Sequence, residues 1–91
     1  MLVVVVSDIP DDKRRTKLSH FLEGYGRRVQ LSVFECFLSL EEMRQLYEKV
    51  KKLVKPAEDN VRFYWISQEA VSRALIIGSD APQPPPKYYV V

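Results

Sequence analysis

One acidic residue stands at the end of an apolar run near the start of the chain, in the segment VVVVSDIPDDKRR. Asp8 follows four consecutive valines, Val3 to Val6, which are typical of a buried strand. A carboxylate at a strand tip suits a hard cation such as Mg²⁺, which takes one or two protein carboxylates and completes its shell with water and phosphate oxygens. Such an ion activates water and neutralises charge at phosphorus. Alternatively, Asp8 caps the helix predicted to follow, since aspartate is a favoured N-cap.

Basic residues cluster in the first third of the chain, although the net charge of the whole chain is only +2. Lysine and arginine neutralise phosphates, and arginine can form two parallel hydrogen bonds with one of them. We expect a shared positive patch that binds RNA or double-stranded DNA; the alternative is a solvated helix face. The predicted nucleic-acid-binding residues are Lys13, Arg14, Arg15, Lys17, Arg27 and Arg28.

Other residue types argue against several classes of site. His20 is the only histidine and has no serine or cysteine at a recognisable spacing, so a catalytic triad is not supported. Gly24 and Gly26 lack the third glycine of a dinucleotide-binding fingerprint and indicate the end of a helix. Cys36 is the only cysteine, which excludes an intrachain disulfide and a cysteine-based metal site.

Composition and the first residues indicate the general class of protein. The chain has 91 residues, of which 46% are hydrophobic and 29% charged, a balance typical of one globular domain. The opening MLVVVVSD has no basic leader and is too short to span a membrane. We therefore expect a cytoplasmic protein with no membrane partner.

Hydrophobic spacing predicts alternating strands and helices. Ser39 is a credible N-cap of the second long helix, and Glu42 completes a capping box with it. The segment APQPPPK is expected to be an extended spacer. The predicted elements are a strand at 2–6, a helix at 11–24, a strand at 27–36, a helix at 38–56, a strand at 60–67, a short helix at 68–73, a strand at 74–78 and a short strand at 87–91.

The order of these elements leaves the topology open. A direct count gives strand-helix-strand-helix-strand, followed by a short helix and a strand. A second possibility makes the strands near residues 61 and 75 a hairpin. The ferredoxin-like split βαβ order requires two strands within residues 28–38, bent at Glu35 or Cys36, where no turn signal is present.

The predicted strands are apolar on both faces, while two helices can cover only one face of the sheet. An uncovered apolar face is normally an interface, so we expect a homodimer packed sheet to sheet about a two-fold axis. We divide the chain into a domain at 1–78 and a Pro-rich spacer with a final strand at 79–91, which would add to the partner's sheet.

Three segments together, SDIPDDKRR, YGRRVQLSVFEC and DNVRFYWIS, resemble one family over nearly the whole chain. It is the small CRISPR-associated adaptation protein, the second member of the universal spacer-acquisition pair. The resemblance implies an α+β, ferredoxin-like fold and a symmetric homodimer in which C-terminal strands complete the partner's sheets. It also implies a metal-dependent endonuclease, using Mg²⁺ or another divalent cation such as Mn²⁺, and a bridge between integrase dimers on DNA.

The resemblance extends to individual positions. Asp8 matches the family's metal-binding aspartate, Arg15 and Arg28 match recurrent basic positions, and Phe34 matches the phenylalanine of a Ser-Val-Phe motif. Ser7 stands where the family often has tyrosine, and its hydroxyl is expected to hydrogen-bond a metal-bound water.

Three functional hypotheses follow. In the first, Asp8 from each subunit holds the metal and the enzyme hydrolyses phosphodiester bonds. In the second, the dimer is a scaffold that binds duplex DNA and the integrase without catalysis. A third and weaker hypothesis is an RNA-cleaving toxin.

Overall fold

A computed structural model describes residues 1–78 and Pro82, which form a single antiparallel sheet with helices. None of its helices is long and apolar enough to cross a membrane within these residues. The elements are β1 (Leu2–Asp8), α1 (Asp12–Glu23), β2 (Arg27–Gln30), β3 (Val33–Phe37), α2 (Leu40–Lys51), β4 (Asn60–Ile66) and α3 (Gln68–Ser72).

The strand that ends at Asp8 lies inside the sheet. The strand order is β2-β3-β1-β4, and β1 pairs antiparallel with both β3 and β4. Together with the chain order β1-α1-β2-β3-α2-β4, this is the ferredoxin-like split βαβ plan. The fold implied by the resemblance is therefore confirmed, and the two topologies drawn from simple counting are wrong.

The prediction of one strand over residues 27–36 is wrong because the chain reverses at Leu31 and Ser32. Glu35 and Cys36, where a bend was considered, lie within β3. The turn escapes detection because it lacks the glycine or asparagine typical of two-residue hairpin turns. The register also shifts between Arg28 and Gln30, so the apolar alternation continues through a bulge.

The strand predicted at residues 74–78 is also wrong: these residues form no regular element. Leu75 and Ile77 are 97% and 100% exposed. Three β-favouring residues in a row are not enough for a strand when no neighbouring strand pairs with them. The predicted spacer and the final strand at 87–91 lie outside the described residues, apart from Pro82.

Both long helices cover the same face of the sheet. Their buried leucines and valine pack on the alternate residues of β1 and β3. The resulting core contains Val3, Val5, Leu18, Leu22, Phe34, Cys36, Leu46 and Val50. The opposite surface, which we call the helix-free face, carries half-buried Val4, Val6, Val33, Phe37 and Ile66. The prediction that the sheet is apolar on both faces is correct.

The N-termini of the two helices are capped by side chains. Asp11 accepts a hydrogen bond from the backbone N–H of Arg14 at 2.9 Å and is the N-cap of α1. Ser39 and Glu42 form the predicted capping box at α2. Each such cap stabilises a helix by about 1 kcal/mol.

An ion pair locks the start of α1 to the loop before β4. The Arg14 guanidinium donates to both carboxylate oxygens of Asp59, at 2.9 and 3.1 Å, and to Glu58 at 2.8 Å. The Asp59 side chain is fully buried and also accepts the backbone N–H of Lys55 at 2.8 Å. The hydrogen bond from Arg14, with that from Lys55, lowers the pKa of Asp59 below its ordinary value of 3.8.

Asp59→Asn is expected to lower the free energy of unfolding at neutral pH. It is also expected to make that free energy less dependent on pH in the acidic range. A folded-state pKa below the unfolded value contributes stability that is present above about pH 4 and is lost as pH falls through the folded pKa. Urea unfolding measured from about pH 7 down to pH 3 tests this. Glu58→Gln, which removes a half-exposed partner of the same arginine, should keep the wild-type acid dependence. A wild-type slope in Asp59→Asn would contradict the prediction.

Candidate metal and nucleic-acid site

Asp8 is the last residue of β1, directly opposite Asn60 of β4 in the register. The two residues share the helix-free face, because partners in an antiparallel pair point to the same side. The Asp8 residue is exposed, and its carboxylate makes no hydrogen bond or ion pair within residues 1–78. The capping alternative for Asp8 is wrong, because Asp11 caps α1. The carboxylate is therefore open to a ligand from solvent.

Two contacts hold the backbone on either side of this carboxylate. The Ser7 N–H donates to the carbonyl of Ser32 at 3.0 Å, which ties the end of β1 to the β2–β3 turn. Arg15 donates from Nη1 to the carbonyl of Ile9 at 3.0 Å and pairs with Asp12 on its other side. A cation is thus bound to the carbonyl of Ile9, the residue that immediately follows Asp8.

The donor chemistry at Asp8 fits a largely hydrated divalent cation. Within the described part of the chain, no group of three or more His, Cys, Asp or Glu side chains is positioned to hold a metal ion. Asp8 therefore does not belong to a cluster of three or more possible metal ligands within the described residues of one copy. That matches Mg²⁺, which keeps several waters and is often bound by one or two carboxylates and substrate phosphates, and it does not match a closed all-protein site.

The six predicted basic residues divide into two groups. Lys13, Lys17 and Arg27 are exposed and form no hydrogen bond or ion pair with described side chains, and Arg15 is partly exposed beside Ile9. Arg14, in contrast, is held by Asp59 and Glu58 and is only 18% exposed. Arg28 is also engaged. Lys13, Lys17 and Arg27 are therefore the residues without such partners in the described chain, whereas Arg15 is partly exposed but bound to the Ile9 carbonyl and Asp12.

Arg28 is bound to its own chain by several groups. Its Nε and Nη2 donate to the carbonyl of Leu31 at 3.1 and 2.7 Å. The guanidinium carbon lies 5.7 Å from the centroid of the Phe34 ring, and Nη2 is 3.5 Å from the Ser19 hydroxyl. Glu23 is a further, more distant partner at 3.9 Å.

The two supporting residues lie away from the helix-free face. Ser7 is half-buried, and strand alternation turns its side chain to the face opposite that of Asp8. Phe34 of β3 is 1% exposed and belongs to the buried core. The Phe34 ring therefore packs beneath Arg28 and is not accessible to solvent.

Sequence reasoning did not single out Asn60, Leu31 or Asp59. Asn60 comes beside Asp8 only through the β1–β4 pairing, and the Leu31 carbonyl matters only once the turn exists. Asp59 forms an ion pair with Arg14, which is 45 residues away in the sequence. The spacing within any one segment therefore carries no signal for them.

Comparison with known proteins shows the family and the fold of this chain. Residues 1–74 match the family described as CRISPR associated protein Cas2. A relative from Synechocystis sp., named CRISPR-associated endoribonuclease Cas2 3, is 42% identical over 90 residues, which cover 99% of this chain and 98% of the relative.

Two solved structures share the fold. Cas2 from Streptococcus pyogenes aligns with a TM-score of 0.73 and 28% identity over 86% of this chain and 100% of that chain. A chain of a partial Cas6-RT-Cas1–Cas2 complex aligns with a TM-score of 0.71 and 36% identity over 88% of this chain and 93% of that chain. The family match, the full-length relative and the shared fold together show that this chain belongs to the CRISPR-associated Cas2 family.

Proposed function

We propose that this chain acts in CRISPR spacer acquisition as a homodimeric, metal-dependent endonuclease on RNA or double-stranded DNA. The observation that carries the proposal is the exposed Asp8 carboxylate at the end of a central strand, without a partner in the described chain. The endoribonuclease name of a full-length relative supports nuclease activity, and the complex that contains both Cas1 and Cas2 supports the integrase as a partner.

The helix-free face is the surface through which we propose that two copies associate. Its half-buried valines, phenylalanine and isoleucine form an apolar patch across β3, β1 and β4. Glu35 and Arg62 add charges of both signs to this patch, so it can be complementary to itself about a two-fold axis. Such an arrangement would bring Asp8 of a second copy towards the first. We retain the division into a domain at 1–78 and an added strand at 79–91 as part of this proposal.

Each residue of the site has a separate proposed role. Bound Mg²⁺ or Mn²⁺ would supply charge neutralisation at phosphorus and an activated water. Asp8 from each copy would hold the ion, and Arg15 would place a positive charge beside the same phosphate. Lys13, Lys17 and Arg27 would bind more distant phosphates. With this nucleic-acid substrate and the integrase partner, we place the protein in the cytoplasm.

Asp8→Asn is expected to abolish cleavage of labelled RNA and of labelled duplex DNA, because it removes the one carboxylate available to the metal. Wild type with Mg²⁺ should cleave at least one of the two substrates, and chelation should stop it. Glu41→Gln, the same change of charge at an exposed residue of α2, is the matched control and should cleave at the wild-type rate. Cleavage that persists in Asp8→Asn would contradict the proposed site.

The second candidate is a non-catalytic scaffold that binds duplex DNA and bridges integrase dimers. It is favoured by the lack of any group of three or more possible metal ligands within the described residues. It predicts no cleavage by wild type, together with duplex binding that is equal in Asp8→Asn and weakens steeply with salt. The same two proteins and substrates therefore distinguish the candidates.

A further inference from the structure

We propose that Arg28 is a positioning residue for Asp8 and does not bind nucleic acid. The inference rests on the proposed function, because it concerns the same site. It begins from the number of intramolecular contacts that the Arg28 guanidinium already makes. Three of its nitrogens face the Leu31 carbonyl, the Ser19 hydroxyl or Glu23, and its flat face lies towards the Phe34 ring.

The Leu31 carbonyl is the contact through which Arg28 acts. Leu31 and Ser32 form the β2–β3 turn, which contains no residue type that favours reversal. Two hydrogen bonds from one guanidinium fork to the Leu31 carbonyl compensate for this. The planar fork that makes both bonds is specific to arginine, because a lysine ammonium is a point donor on a flexible chain.

The same turn is attached to β1 immediately before Asp8. The carbonyl of Ser32 accepts the N–H of Ser7 at 3.0 Å, one residue before the metal-binding candidate. Arg28 therefore connects to Asp8 through the turn: guanidinium to Leu31, Leu31 to Ser32, and Ser32 to Ser7. The Phe34 ring lies beneath the guanidinium, and Phe34 of β3 pairs with Val5 of β1, the strand that ends at Asp8. This pairing supports the connection from the core.

Arg27 is the natural control for this role. It is adjacent in sequence and carries the same charge, but it is exposed on the edge strand β2 and makes no side-chain hydrogen bond or ion pair within the described residues. A phosphate-binding role predicts similar behaviour for the two arginines. A positioning role predicts that only Arg27 contributes to the salt dependence of DNA binding. It also predicts that only Arg28 affects the position of the turn and of Asp8.

The first test uses Arg28→Lys, which keeps the charge and loses the fork. With labelled RNA and Mg²⁺, kcat should fall by roughly 10²-fold while KM stays near the wild-type value, as expected when a reacting group is misplaced. Hydrogen exchange at the Ser7 amide should be about tenfold faster or more in this variant. Wild-type values of both kcat and Ser7 exchange in Arg28→Lys would overturn the proposal.

The second test measures binding of labelled duplex DNA over a range of salt concentrations. Arg28→Gln should keep the wild-type dependence of log K on log salt, whereas Arg27→Gln should reduce the slope by about 0.9, the loss of one phosphate contact. An equal loss of slope in Arg28→Gln would overturn the proposal.

A third measurement needs no variant and therefore does not depend on a variant's folding. In wild type, the Nε–H signal of Arg28 should stay unchanged when duplex DNA is added, while that of Arg27 shifts; a shift at Arg28 would overturn the proposal. If wild type cleaves neither substrate, the nuclease function fails. The Ser7 exchange and the Arg28 signal then still decide whether Arg28 positions the turn.

Discussion

Gly26→Ala is expected to destabilise the fold by about 3 kcal/mol or more, at the upper end of the range for overpacking. A Cβ at Gly26 would lie 2.4 Å from the backbone oxygen of Glu35, 2.5 Å from Cys36 Sγ and 2.9 Å from Cys36 Cα. Two of these atoms belong to the backbone of β3, which pairs with both β1 and β2 and cannot move aside on its own. The glycine is required because the chain passes very close to β3 as it leaves α1.

Gly24→Ala is the matched control for this substitution. Gly24 has a helical φ of −75°, and the nearest atom to an added Cβ is the Phe21 carbonyl oxygen at 3.4 Å. Alanine should be tolerated there, with a change in Tm of a few degrees at most. Thermal unfolding followed by circular dichroism compares the two variants. A Tm for Gly26→Ala within about 2 °C of wild type would contradict the close approach.

The helices of this fold can be predicted from local sequence, because their determinants are local. The apolar stripe of α1 and the Ser39–Glu42 capping box each lie within one or two helical turns. The position of Asp8 at the strand end is equally local. In contrast, local sequence does not predict that Asp8 leaves the N-cap position to another residue, because Asp8, Asp11 and Asp12 are all acceptable N-caps by residue type. Only the backbone geometry selects Asp11.

The remaining features depend on contacts between distant segments. Arg14 and Arg15 are adjacent and alike in sequence, yet on a helix they point in different directions: one meets Asp59 and the other meets the Ile9 carbonyl. The β2–β3 turn depends on a side-chain contact from Arg28. The run at 74–78 has strand propensity and no strand partner among the described residues, so its sequence predicts an element that the structure does not contain.

The second large effect concerns metal binding at Asp8, which the proposed nuclease requires. Within the described residues of one chain, no group of three or more possible metal ligands is present at Asp8 or elsewhere. We therefore expect Asp8→Asn to lose metal binding completely, because an amide is neutral and the proposed site depends on the Asp8 carboxylate. Glu41→Gln, with the same change of charge on α2, should bind as wild type does.

Titration of purified protein with Mn²⁺, followed by calorimetry, tests the central claim most directly because it measures the site without a substrate. If two copies share a site through Asp8, wild type should bind one Mn²⁺ for every two chains, and Asp8→Asn should bind none. Binding of Mn²⁺ by Asp8→Asn with the stoichiometry and affinity of wild type would contradict the account.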